Sequence, residues 1–282
     1  DHADIYKDLE AYKLAFRRLI NLVPNRGNLL AGFDSPIVAE LSGRAFCPVD
    51  SFGIDNKDSK WQAKHIETSS EGTSFTVFEQ EKEYAKFFTP LVGRFNVRNC
   101  LGVIVAAERM GIERRATAEA LATFKSVKRR MQVRANIAEI TLIDDFAHHP
   151  TAVRETLEAI SQRYTNRRVV AVFEPRSWSS RKRVFQQDYE TAFGAAEVVV
   201  IAPVFESFKL ETSDQFSPNQ LVEVLKEQGK QAAVVSGSDN IVEHLESLIT
   251  EGDVIAVMSN GGFGGLHEKL LTLLEKKSQR IV

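Results

Sequence analysis

Residues 140–150 read Ile140-Thr141-Leu142-Ile143-Asp144-Asp145-Phe146-Ala147-His148-His149-Pro150, an apolar run that passes directly into two carboxylates, two imidazoles and a proline. A short aliphatic run bounded by polar residues is the pattern of a strand covered on both faces. Proline suits the opening turn of a helix, where its missing N–H costs nothing. The segment therefore predicts a strand, a polar turn and a helix.

The same unit recurs on the carboxyl-terminal side. Apolar runs predict strands over 140–144, 169–173, 197–202, 232–235 and 254–258, alternating with helices over 151–164, 180–193, 218–228, 240–250 and 263–276. Continuous apolar strands alternating with helices describe a parallel sheet covered on both faces, so residues 129–282 predict one doubly wound α/β domain. Ligands are expected beyond the carboxyl ends of its strands.

Residues 1–128 have a different rhythm. Ile5, Leu9, Tyr12, Ala15, Phe16, Leu19 and Ile20 recur at helical spacing until Pro24-Asn25-Arg26-Gly27 stops the pattern. From 28 to 90, short apolar runs mixed with turn residues predict strands with one short helix near 36–41. Helices follow near 96–110 and 116–125, and a basic run within 125–130 marks the boundary.

Composition narrows the function. The 282 residues, 43% of them apolar, suffice for two cores. With 36 Lys+Arg against 38 Asp+Glu the net charge is -2, leaving no global field to draw in nucleic acid or an anionic membrane. Cys47 and Cys100 stand far apart without CxxC spacing, as expected in a reducing compartment. No apolar run approaches the roughly 20 residues that span a bilayer, and no signal pattern opens the chain. A cytoplasmic location with no membrane partner is the expectation.

Three polar clusters follow predicted strands. In Asp144-Asp145-Phe146-Ala147-His148-His149-Pro150 the carboxylates suit ribose hydroxyls or a metal and a histidine suits a nucleophile or phosphate; a helix-capping turn is the alternative. In Glu174-Pro175-Arg176-Ser177, Arg176 suits bidentate recognition of a carboxylate, or a surface pair with Glu174. Ser259-Asn260-Gly261-Gly262-Phe263-Gly264-Gly265 permits close backbone approach or a tight turn, and lacks the Gly-Lys-Ser/Thr ending of a phosphate loop. Earlier, Gly93-Arg94-Phe95-Asn96-Val97-Arg98-Asn99 sets two asparagines three apart at a helix start, as caps or as amides for a purine edge. His2 and Asp4 have metal-ligand chemistry but no supporting spacing.

Together these segments resemble the Mur ligase superfamily, the ATP-dependent amide-forming enzymes of peptidoglycan assembly. Asp1-His2-Ala3-Asp4 resembles the segment after the family's nucleotide loop, which implies that His2 ligates Mg2+. Gly93 to Asn99 is similar to G-x-[FH]-N-x-x-N, implying that Asn96 and Asn99 face adenine. Arg130-Met131-Gln132 resembles Arg-Met-Glu/Gln, implying an ATP-phosphate contact at Arg130, and Asp145-Phe146-Ala147-His148 resembles Asp-Tyr-Ala-His, implying Asp145 on the ribose and His148 near the reacting groups. The implied fold is part of the central ATP-binding domain (1–128, phosphate loop missing) followed by a complete Rossmann-like C-terminal domain (129–282).

Within the superfamily, DDFAHHPTA, FEPRS and VMSNGGFGGLHEKLL look most like the murein peptide ligase branch, which joins UDP-N-acetylmuramate to the tripeptide L-alanyl-γ-D-glutamyl-meso-diaminopimelate. The resemblance implies an acyl phosphate formed with ATP and Mg2+, attack by the tripeptide amine, a peptide carboxylate on Arg176, and closure of two domains. Phe16 stands near the position where several relatives carry a carbamylated lysine, so that modification is not expected. The chain begins at Asp1 inside a motif, so a fragment inactive alone is expected. Alternatives are addition of L-alanine, a folylpolyglutamate-type ligase and a nucleotide-binding module without catalysis.

Overall fold

The computed structural model describes residues 5–209 and 212–281. The described residues divide into two compact units, 5–125 and 126–281.

The first unit runs α1 (Leu9–Ile20), β1 (Leu29–Gly32), α2 (Pro36–Ser42), β2 (Val49–Gly53), β3 (Trp61–Thr68), β4 (Thr73–Glu79), β5 (Lys82–Thr89), α3 (Arg94–Arg109) and α4 (Arg114–Ala122). Its five strands lie in sequence order, parallel from β1 to β3 and antiparallel from β3 to β5. On α3, Val97, Cys100, Leu101, Ile104 and Val105 form one stripe at helical spacing, and it packs on Trp61, Phe75, Val77 and Phe87.

The second unit adds β6 (Gln132–Ile137), β7 (Ile140–Asp145), α5 (Pro150–Arg163), β8 (Val169–Phe173), α6 (Gln186–Ala192), β9 (Val198–Ile201), α7 (Pro218–Glu227), β10 (Gln231–Val234), α8 (Ser238–Leu248), β11 (Val254–Met258) and α9 (Leu266–Ile281). The sheet order is β10-β9-β8-β11-β7-β6, with β7 to β11 mutually parallel. Side chains of a strand alternate between faces. Val169, Ala171 and Phe173 of β8, with Val254, Ala256 and Met258 of β11, therefore meet α5, α6 and α7. Their neighbours Val170, Val172, Ile255 and Val257 meet α8 and α9. Covering both faces is what demands strands apolar at every position.

One strand goes unread in the sequence and one helix is misplaced. The five expected strands are mutually parallel, and β6, which was not expected, adds an antiparallel edge beside β7. Ala138 and Glu139, at φ of 50° and 58°, form the two-residue turn between them. That turn normally advertises itself through Asn-Gly or Asp-Gly, neither of which is present. The helix expected over 180–193 begins later, since only Gln186–Ala192 is α-helical, after a single 3-10 turn at Arg183–Phe185. Upstream, the Ser177 hydroxyl accepts from Ser180 N–H at 3.0 Å, and Lys182 bridges to Gln215. Serine hydroxyls that bond the local backbone compete with helix formation.

Candidate functional site

The carboxyl ends of β7, β11 and β8 stand side by side, with Met258 in register with both Asp145 and Phe173. Ser259 N–H donates to Asp145 O at 3.1 Å, and Glu174 N–H donates to Met258 O at 3.1 Å. The helices after β8 and β11 leave to opposite faces of the sheet, which makes this the point where open α/β sheets receive their ligands. All three polar clusters read from the sequence in this unit converge on it.

In the β7 turn, Asp145 is buried. Its Oδ2 accepts Met131 N–H at 2.7 Å, and its Oδ1 accepts Ala147 N–H at 2.8 Å and the Thr156 hydroxyl at 3.3 Å. Burial pushes this carboxyl above its usual range, against the pull of those N–H groups and of Arg130. These three bonds give Asp145 a positioning role in its own turn, beside the ribose contact that the resemblance implies. The same turn sets the next histidines. His148 Nδ1 lies 3.0 Å from Phe146 O. A carbonyl only accepts, so this nitrogen carries the proton, and Nε2 is the acceptor of the neutral ring. His149 Nδ1 accepts Thr151 N–H at 3.3 Å and so caps α5. Burial, with neighbouring positive charge that includes His148 adding to it, lowers His149 to a pKa of about 4. Of the paired histidines, one is structural.

Arg129 and Met131 have left-handed backbone, at φ of 60° and 47°. Non-glycine residues in this region are strained and persist only where the surroundings hold them. Here Phe146 N–H donates to Arg129 O at 2.9 Å, Arg129 N–H donates to Gln132 Oε1 at 3.0 Å, and Met131 is held by Asp145. The two basic neighbours point to different tasks. Arg129 reaches inward to Ser259 O, and to Gly261 O at 2.9 Å, and lies 3.5 Å from Asp144. Arg130 is exposed, with its guanidinium 5.3 Å from the Phe146 ring centroid. Asp144 also meets His267 Nε2 at 3.1 Å and Arg134 at 3.6 Å. Burial pushes this carboxyl up, but His267 and Arg129 outweigh that and hold it below the usual range.

At the end of β8, Glu174 is buried and accepts the Ser259 hydroxyl, which itself accepts Gly261 N–H at 2.9 Å. Arg176 is 3.6 Å from Glu174 and lies over the Phe205 ring, 3.8 Å from its centroid. About a third of its side chain is exposed, 32%. Pairing with Glu174 and presentation to a ligand are therefore both present in one residue.

The first unit holds Asn96 and Asn99 in the opening turns of α3. Gly93, at φ 95°, precedes the helix in a conformation that favours glycine, and no side chain caps it. Asn96 Nδ2 donates one N–H to Val92 O at 2.8 Å, which leaves its second N–H and its carbonyl for other partners, and Asn99 is exposed. Arg98 bonds Asp34 at 2.9 Å, and Asp34 also accepts Ile54, Asp55 and Asn56 N–H groups, fixing this end of α3. A cleft of about 860 Å³ over β3 to β5, lined by His65, Glu67, Thr76 and Lys86 among others, does not include either asparagine. His2, expected as a metal ligand, lies outside the described residues. Among those described, no group of three or more His, Cys, Asp or Glu could hold a metal ion.

Arg129, His267 and Phe205 were given no role in the sequence reading, and Asp144 entered it only as one carboxylate of the first polar cluster. Arg129 was indistinguishable from Arg130 within a basic run, and Phe205 carries no motif.

The Mur ligase middle domain matches residues 1–107, and the Mur ligase glutamate ligase domain matches residues 129–261. A Haemophilus influenzae protein named UDP-N-acetylmuramate–L-alanyl-γ-D-glutamyl-meso-2,6-diaminoheptandioate ligase is 32% identical over 98% of this chain and 58% of its own length. The UDP-N-acetylmuramate–L-alanine ligase of Clostridium acetobutylicum is 29% identical over 96% of this chain and 58% of its own. The chain thus spans a little over half the length of these relatives. The crystal structure of a murein peptide ligase from Psychrobacter arcticus superimposes with a TM-score of 0.66 at 26% identity, covering 95% of this chain and 55% of that one.

Proposed function

Because this chain belongs to the Mur ligase family, carrying its middle and C-terminal domains, we propose that the full protein joins UDP-N-acetylmuramate to the tripeptide L-alanyl-γ-D-glutamyl-meso-diaminopimelate in an ATP-dependent reaction. ATP supplies the γ-phosphoryl group that activates the lactyl carboxylate as an acyl phosphate, which the tripeptide amine then attacks. In such chemistry the protein positions reactants and neutralises charge.

Asn96 and Asn99 are assigned to the adenine. Arg130, exposed beside Phe146, is assigned to phosphate. His148, whose Nδ1 is held by Phe146 O, is assigned to deprotonate the attacking amine as a general base. Asp145 holds the turn that sets His148. The described residues do not themselves build a Mg2+ site, so no step is assigned to the metal; His2 remains the proposed ligand.

The observation that carries the tripeptide reading is Arg176, a partly exposed guanidinium at the end of β8, in the Phe173-to-Ser177 segment whose sequence we read as resembling the tripeptide-ligase branch. A planar fork of donors matches a carboxylate bidentately. Addition of L-alanine is the second reading, favoured by the Clostridium acetobutylicum relative. Changing Arg176→Ala in the full protein raises KM for tripeptide about tenfold or more and spares that for ATP; an unchanged tripeptide KM rejects the assignment.

A further inference from the structure

The Gly-rich turn after β11 has a use that no backbone requirement explains. Gly261 is not among the glycines with positive φ, so its conformation is open to alanine. Its Cβ position is instead occupied: a methyl group there would coincide with Nε, Cδ and Cζ of Arg176, and no backbone atom is among those nearest atoms. Gly262, next in the chain, has nothing within 4 Å of the same position. The space at Gly261 is therefore specific to Arg176.

The Phe205 ring covers the guanidinium at 3.8 Å. Phe205 is itself pinned, with its N–H donating to Pro175 O at 3.1 Å and its carbonyl accepting from Arg181 at 3.2 Å. Gly261 is fixed through Ser259 to Glu174, the carboxylate beside Arg176. Arginine loses much rotamer freedom on binding unless it is already ordered.

We propose that Gly261 and Phe205 form a slot that holds Arg176 extended toward a carboxylate of the acceptor peptide, which makes both of them positioning residues for acceptor specificity. This rests on the reading of Arg176 given above. Any side chain at Gly261 expels the guanidinium without straining the backbone, and loss of the Phe205 ring leaves it loose.

The test uses the full protein with Gly261→Ala, Phe205→Leu, Arg176→Ala and the double variant Gly261→Ala/Arg176→Ala. Gly261→Ala raises the tripeptide KM about tenfold, the worth of one charge-assisted hydrogen bond, leaves the ATP KM and melting temperature unchanged, and adds nothing in the Arg176→Ala background. An unchanged tripeptide KM in Gly261→Ala, with Arg176→Ala impaired, overturns the slot and leaves the function intact; additive effects in the double variant overturn it as well. If Arg176→Ala itself spares the tripeptide, the peptide reading fails and the slot is judged by NMR of the Arg176 Nε–H, assigned by its loss in Arg176→Ala. Its signal then shifts in both Gly261→Ala and Phe205→Leu; an unmoved signal in either overturns the slot.

Discussion

Met131 donates its backbone N–H to the buried carboxylate of Asp145 at 2.7 Å, tying the residue after Arg130 to the turn that carries His148. Replacing Asp145 by Asn puts an amide in a site lined by donors and disturbs the turn. The expected loss of stability is about 1–3 kcal/mol without nucleotide, read by urea unfolding. A residue serving only as a ribose contact would leave the ligand-free stability unchanged.

Asp144 is the charge on which Arg129, Arg134 and His267 converge. Removing one member of a buried ionic cluster strands the others, so Asp144→Ala is expected to cost about 3 kcal/mol at neutral pH. Its carboxyl titrates below the ordinary value in the fold. Its contribution is therefore complete above the unfolded pKa of about 3.9 and is lost as pH falls through the lower folded value. The stability gap between Asp144→Ala and the parent protein narrows in that acid range; a constant gap contradicts the charge-based account.

His149 titrates in the same direction but in a higher pH window. Its folded pKa is about 4, against 6.5 for an ordinary histidine side chain. The unfolded chain binds the proton more readily between these values, so stability is complete above pH 6.5 and falls as pH drops toward 4. His149→Ser keeps a good helix cap and removes the titration. The variant should lose less stability than the parent between pH 7 and pH 5 in parallel urea titrations, and equal losses reject the assignment.

Asn99 is exposed on α3 and caps nothing. Asn99→Ala is expected to change stability by no more than about 0.5 kcal/mol while raising the ATP KM of the full protein. An unaltered KM removes it from the nucleotide contacts.

Most of the second unit's fold was legible because its buried strands are apolar at every position, and 169–173 and 254–258 match β8 and β11 residue for residue. β6 was not legible: it is a half-covered edge strand joined by a turn without glycine or asparagine. The candidate residues were visible as polar groups at strand ends, but their orientation was not. Only the folded structure shows that Asp145 bonds its own turn, that His149 caps a helix, and that Arg129 bonds the Gly-rich turn while Arg130 stays exposed. The reason for Gly261 lies 85 residues away in Arg176, beyond the reach of local pattern.

The central claim concerns the acceptor. It is tested most directly by phosphate release from the full protein supplied with ATP, Mg2+ and UDP-N-acetylmuramate, with either the tripeptide or L-alanine added. The account predicts release that depends on the tripeptide, with a joined product of matching mass; release with L-alanine alone, or with neither acceptor, contradicts it.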